Sequence, residues 1–188
     1  ARALTVSATG VNKVYDGTTA ATVTLSDNQV SGDSVSDSYT TATFDTKDVG
    51  TGKLVSISGI SISGGDAGNY TFNTTASSTA SITAKALTIS ATGFAKVYDG
   101  NATATISFSD NRVTGDVFTA SYLSASFDDK NVGTGKTISV SGINISGPDA
   151  GNYTINTTAT TTANITAQAL HVTATGSNKV YDGDATAT

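Results

Sequence analysis

The feature that most constrains this chain is a repeat. The pentapeptide Lys-Val-Tyr-Asp-Gly begins at Lys13, at Lys96 and at Lys179, so the period is 83 residues. The same offset carries Leu4 to Leu87 and Leu170, Phe44 to Phe127, and Gly68-Asn69-Tyr70 to Gly151-Asn152-Tyr153. A unit of that size can bury a small core of its own, whereas solenoid turns run to roughly 20–50 residues and share one. The period divides the chain into repeat 1 over residues 1–85, repeat 2 over 86–168, and the truncated start of a third over 169–188. With no initiator Met and no apolar leader at its N-terminus, the chain reads as cut from something longer.

Inside each unit the apolar residues alternate with Ser and Thr. Leu4, Val6 and Ala8 share a parity, as do Ala21, Val23 and Leu25 among themselves and Tyr70, Phe72, Ala80 and Ile82 among themselves, the pattern of half-buried strands. Val35 to Phe44 reads as a further extended stretch. The parity of Val55 and Ile57 changes at Gly59 to that of Ile60 and Ile62, which predicts a bulge or strand break at the glycine. Every acidic residue is Asp, and straight-chain helix formers are scarce beside the β-branched ones. About six or seven short strands per unit predict an all-β fold of tandem, immunoglobulin-like β-sandwich domains. With no Cys in the chain, disulfides staple none of it.

From Ile82 to Ile89 the last strand of one unit passes into the first strand of the next with no Gly or Pro. Flexible tethers are usually Gly- and Ser-rich, so this passage predicts units stacked end to end as a semi-rigid rod with little freedom about Ala84-Lys85-Ala86. The net charge of -5, with Arg2 and Arg112 the only arginines, offers no basic stripe for nucleic acid. No apolar run approaches the roughly 20 residues of a membrane-spanning helix, so membrane insertion is not expected.

The motifs carry several possible chemistries. Tyr15-Asp16 and Tyr98-Asp99 are the residue types that contact sugars, but Asp-Gly is also a turn dipeptide, and the tyrosine suits a cap on the core with its hydroxyl reaching a backbone partner. Asp45, Asp48, Asp128 and Asp129 lie in Gly-containing loops and are the candidates for calcium, although no Asp-x-Asp-x-Asp spacing is present. A Lys-Asn cross-link would need Lys13 or Lys96 beside Asn69 or Asn152. Gly50-Thr51-Gly52-Lys53 lacks the spacing and helix of a phosphate loop. One His, His171, and no Cys leave no nucleophile and base pair for catalysis, so neither an enzyme nor a bound cofactor is expected.

Lys-Val-Tyr-Asp-Gly, the run Asp129 to Lys136, Ser141-Gly142-Ile143 and the run Ser146 to Tyr153 together resemble the YDG-type repeat, similar to the glycine-rich mostly-β repeats of large filamentous-haemagglutinin-like bacterial adhesins. The resemblance covers both full units and the third, and it implies secretion and display on the bacterial cell surface as long fibres. On that basis the chain is expected to be a structural stalk or spacer whose partners are its own neighbouring repeats, with like chains in a fibre or biofilm matrix, or host and matrix glycans, as further partners. The alternatives are a multivalent glycan- or protein-binding module and a subunit that exchanges strands between chains.

Overall fold

The computed structural model describes residues 1–186 and is all-β, with two tandem units built alike. Repeat 1 contains β1 (Arg2–Leu4), β2 (Ser7–Gly10), β3 (Lys13–Val14), β4 (Val23–Ser26), β5 (Ser36–Ser38), β6 (Thr41–Phe44), β7 (Gly50–Ser58), β8 (Ser61–Ser63), β9 (Tyr70–Phe72) and β10 (Thr75–Thr83). Repeat 2 repeats the series as β11 (Lys85–Leu87), β12 (Ile89–Gly93), β13 (Lys96–Val97), β14 (Ile106–Asp110), β15 (Thr119–Ser121), β16 (Ser124–Phe127), β17 (Gly133–Ser141), β18 (Asn144–Ser146), β19 (Tyr153–Ile155) and β20 (Thr158–Thr166). In place of six or seven strands there are ten per unit, because several runs that read as one strand change partner midway.

Each unit is framed by one four-stranded sheet, in the order β3-β10-β7-β6 in repeat 1, and by three two-stranded pairs, β1-β9, β2-β4 and β5-β8. Two of these pairings, β1 with β9 and β3 with β10, are parallel. The alternation of Leu4, Val6 and Ala8 is kept, but the chain leaves β9 at Leu4 and joins β4 at Ser7. Asparagine side chains supply the ladder at that step: Thr5 N–H donates to Asn28 Oδ1 and Val6 N–H to Asn73 Oδ1, both at 2.8 Å. Gly59 makes the anticipated break. Its φ of +68° and a Cβ position only 2.4 Å from Thr40 Oγ1 exclude any side chain, and there the long hairpin turns from the β6-β7 pair to the β5-β8 pair.

Leu4, Val6, Val55, Ile57, Ile60 and Ile82 fill the first core, and Leu87, Ile89, Ile138, Val140, Ile143 and Ile165 fill the second. The units meet with one residue between strands, since β10 ends at Thr83 and β11 begins at Lys85. Residues 167–186 contain no strand, and Leu170, Val180 and Tyr181 are exposed. In a full unit the opening strands pair with segments nearly 70 positions later, as Arg2 pairs with Tyr70 and Lys13 with Ile82, and the 188 residues stop short of such partners for the third copy. Ala187 and Thr188, the last residues assigned to that copy, lie outside the described residues.

Candidate functional site: the junction between repeats

The Tyr-Asp-Gly segment follows β3, which is held by the parallel ladder to β10 and by the Tyr15 N–H bond to the Thr83 carbonyl at 2.8 Å. That anchoring throws the Tyr15 ring past the end of its own unit and against repeat 2, where it is 1% exposed. Its hydroxyl lies 2.9 Å from Oδ2 and 3.0 Å from Oδ1 of Asp116. The ring stands edge-on to Tyr153 with centroids 5.5 Å apart. Beside it Gly17, at φ +80°, lies so close to Val113 that a Cβ would sit 2.8 Å from its Cγ1, so the motif's glycine serves both the turn and the contact.

A second connector comes from the loop between β6 and β7. Lys47 Nζ reaches Asp149 Oδ1 at 2.8 Å and Asp116 Oδ1 at 3.2 Å, and it lies 5.8 Å from the Tyr15 ring centroid. Two residues on, Val49 N–H donates to Asn152 Oδ1 at 2.9 Å, and Asn152 Nδ2 donates to Asp48 Oδ1 at 3.2 Å. The receiving socket is organised by repeat 2 itself. Tyr153 Oη donates to Asp116 Oδ2 at 2.5 Å, Val113 N–H donates to Tyr153 Oη at 2.9 Å, and Val117 N–H donates to Asp149 Oδ2 at 2.9 Å. Arg112, paired to Asp110 at 2.6 Å, stacks its guanidinium 3.7 Å over Phe118 and closes the wall behind Tyr153.

The charges agree with this geometry. Burial alone would raise the Asp116 carboxyl, but the hydrogen bonds from Tyr153, Tyr15 and Lys47 outweigh it and hold it below the ordinary carboxylate range. Lys47 holds Asp149 low as well, with help from Val117 N–H. Lys47 is in turn driven above the usual lysine range by Asp149, Tyr15 and Asp116. Burial, then the Asp116 carboxylate, raises Tyr15 and pushes Tyr153 up to about 12. The junction is thus one buried carboxylate satisfied from three sides, the arrangement in which a desolvated ion is tolerated.

The residues expected at a site are distributed differently from that expectation. Tyr15 lies inside the junction, beyond the reach of a glycan while the units are docked, and its hydroxyl meets a carboxylate of the next unit in place of a backbone partner. Asp16 and Asp99 each bind the lysine three residues before them, Lys13 and Lys96, at 2.8 Å and are exposed. Tyr98 is half-buried. Asp45 pairs with Lys53 at 3.1 Å, while Asp128 and Asp129 pair with Lys136 at 2.9 and 2.8 Å. Asp48 stands apart from Asp45, in the junction with Asn152. Among the described residues no three His, Cys, Asp or Glu side chains converge as a metal would need. Asn152 bonds Val49 and Asp48, while Lys13 and Lys96 turn to the loops that follow them, so no Lys-Asn pair of the anticipated kind is brought together.

Asp116, Lys47, Asp149 and Tyr153 were the residues that motif reasoning did not select. The signal for them was present: each stands at the same position in both units, as Asp33, Lys130, Asp66 and Tyr70, although loops usually drift. An open cleft of about 590 Å³ in repeat 1, lined among others by Val23, Leu25, Asp27, Asp37 and Tyr39, brings Asp37 near Asp27. Burial, then Asp27, raises the Asp37 carboxyl. Repeat 2 has Ala120 in place of Asp37, so this acid pair belongs to one copy and not to the module.

Two alike β units, joined by a single residue and locked by a buried tyrosine–carboxylate contact, define a tandem-repeat protein. The chain belongs to the YDG domain family, whose model matches residues 1–79 and again 83–163. No curated protein and no solved structure matched it.

Proposed function

We propose that the chain is a stalk: consecutive repeats that hold a distal part of a secreted bacterial surface protein at a distance, or that build an extracellular fibre. The observation that carries this reading is the burial of Tyr15 and its hydrogen bonds to Asp116 across the unit boundary. A boundary meant to flex would leave such groups in water, because desolvating a carboxylate is costly unless its partners are fixed. The work is mechanical and needs no catalysis; the only histidine, His171, is exposed and lies outside both complete units. Glycan binding through Tyr15 is disfavoured by its burial, which leaves the half-buried Tyr98 and the exposed Tyr181 of the third copy.

Small-angle scattering of the intact chain tests the reading. The expected result is a rod-like profile that persists across salt concentrations and that broadens toward a hinged ensemble in the Asp116→Ala variant. A wild-type profile already requiring freely hinged units would overturn it, and binding on a glycan array abolished by Tyr98→Ala without unfolding would favour an adhesive module instead.

A further inference from the structure

The two units differ at a place away from the tyrosine junction. The open cleft of about 590 Å³ in repeat 1 is lined by Val23, Leu25, Asp27, Val35, Asp37 and Tyr39 among others. At those positions repeat 2 carries Ile106, Phe108, Asp110, Phe118, Ala120 and Tyr122. Its larger apolar side chains take up the space: Phe108 stands edge-on to Tyr122 with centroids 5.7 Å apart, and Phe118 is buried.

The charges are exchanged as well. Asp110 accepts from Arg112 Nε at 2.9 Å and from Arg112 Nη2 at 2.6 Å, while Arg112 Nη1 donates to the Phe118 carbonyl at 3.0 Å. Asp27 keeps the backbone bond of this turn, from Gln29 N–H at 2.8 Å where Asp110 has Arg112 N–H at 3.0 Å, but Gln29 brings no guanidinium. In place of that cation stands a second carboxylate, Asp37, whose Oδ1 is closed off from solvent and has no hydrogen-bond partner. Burial, then Asp27, raises the Asp37 carboxyl, and no cation offsets either. An acid pair set against an apolar wall without a counter-charge is costly unless something supplies one.

This flank stays open when another unit precedes it. Repeat 1 reaches Asp116, Asp149 and Asn152 of repeat 2 with its hydrogen bonds and Val113 with Gly17. Thr119, Ser121 and Tyr122, which correspond to the rim of the cleft, remain exposed, and Asp110 is bonded from within its own unit.

We infer that the cleft of repeat 1 binds an arginine side chain of a peptide segment, its guanidinium taking between Asp27 and Asp37 the place that Arg112 takes on Asp110 in repeat 2. The planar fork of a guanidinium can bridge two carboxylates, and Val23, Leu25 and Val35 offer apolar surface to its aliphatic stem. An open cleft admits such a side chain while its backbone stays outside. A calcium ion suits the place poorly, since it draws roughly six to eight oxygen ligands and no third acid joins this pair among the described residues.

The inference goes beyond the stalk reading, because a rod does not use this flank, and its failure would leave that reading untouched. Heteronuclear NMR of the intact chain titrated with N-acetyl-arginine methylamide tests it, with repeat 2 as the control inside the same molecule. The amides of Asp27, Asp37 and Tyr39 are expected to shift saturably, with a Kd of about 1–10 mM, while those of Asp110, Ala120 and Tyr122 stay in place. The citrulline counterpart, equal in shape but uncharged, should bind at least about tenfold more weakly, and the lysine counterpart at least about threefold more weakly. Gln29→Arg supplies the guanidinium from within and Asp37→Ala installs the residue of repeat 2, so each should weaken binding at least about tenfold. No saturable shift up to about 50 mM would overturn the inference, as would equal binding of arginine and citrulline or of arginine and lysine, or equal shifts in both repeats. Unchanged affinity in either variant that keeps its β circular-dichroism signal would do the same. Should both variants lose that signal, the comparison of arginine with citrulline on the unaltered chain decides alone.

Discussion

Tyr15 and Tyr98 occupy one position of one motif, and their immediate surroundings are nearly the same. Each backbone N–H bonds the end of the long strand of its unit at 2.8 Å, and the lysine two residues before each binds the following aspartate at 2.8 Å. Yet Tyr15 is sealed and hydrogen bonded, whereas Tyr98 is half-buried and its hydroxyl has no partner among the described residues. What differs is contact with a socket: among the described residues one packs against Tyr15 and none against Tyr98. The motif is therefore a connector made ready by its own unit, and the unit keeps the same strand order whether or not the connector is used.

Alanine at the two tyrosines is the strongest way to break this comparison. Tyr15→Ala removes a buried ring and leaves Asp116 short of a donor, a loss of about 3–5 kcal/mol, while Tyr98→Ala should cost about 1 kcal/mol or less. Urea unfolding of the two variants measures both, and equal losses would mean that Tyr15 supports its own core and not the junction. A smaller contrast is expected at the carboxylates. Asp116→Asn weakens bonds to two tyrosines and Lys47 and should cost about 2–3 kcal/mol, against about 1 kcal/mol for Asp33→Asn, whose visible partner is Tyr70.

Titration sharpens the same contrast. The Asp116 and Asp149 carboxyls are depressed in the folded protein, so their contribution is complete above the ordinary value of 3.8 and is lost as pH falls through their lower folded values. Tyr15 and Tyr153 are raised, so their contribution is complete below 10.0 and is lost as pH rises, for Tyr153 through about 12. Scattering should show a docked pair throughout the interval between and loosening outside it. Tyr15, Tyr70 and Tyr153 should ionise late by ultraviolet absorbance, and Asp116→Asn should advance Tyr15 and Tyr153 but leave Tyr70 delayed by Asp33.

Much of the fold was legible because period-two alternation is written residue by residue. Leu4, Val6, Val23, Val55, Ile57 and Ile82 were all placed inward by parity alone, and the change of parity at Gly59 located the corner. The partner change between Leu4 and Ser7 was hidden, because Asn28 and Asn73 carry the ladder across it from distant positions while the alternation continues unbroken. The short β3 strand was likewise concealed within the motif, two residues being too few to show a period. At the site, Tyr15 stood out as a motif residue, but its role did not, since Asp116 lies 101 positions away in another unit. Nothing local to Gly-Asp in a turn distinguishes a buried acceptor from a solvated one.

The smallest effect expected is that of calcium, and it tests whether the loop acids act differently from the socket acids. Asp45 is held low by Lys53, and Asp128 and Asp129 by Lys136, whose side chain is 10% exposed between them. An ammonium already fills the position from which a divalent ion would draw oxygen ligands, and the remaining neighbours offer no third carboxylate. Adding calcium or a chelator should therefore leave the melting temperature of the intact chain within about 1 °C. Lys136→Met removes the competing ammonium and leaves two adjacent carboxylates bare, so any calcium response should emerge in that variant first. A larger response in the unaltered chain would place a cation among these loops and make them, with the tyrosine junction, a second determinant of stiffness.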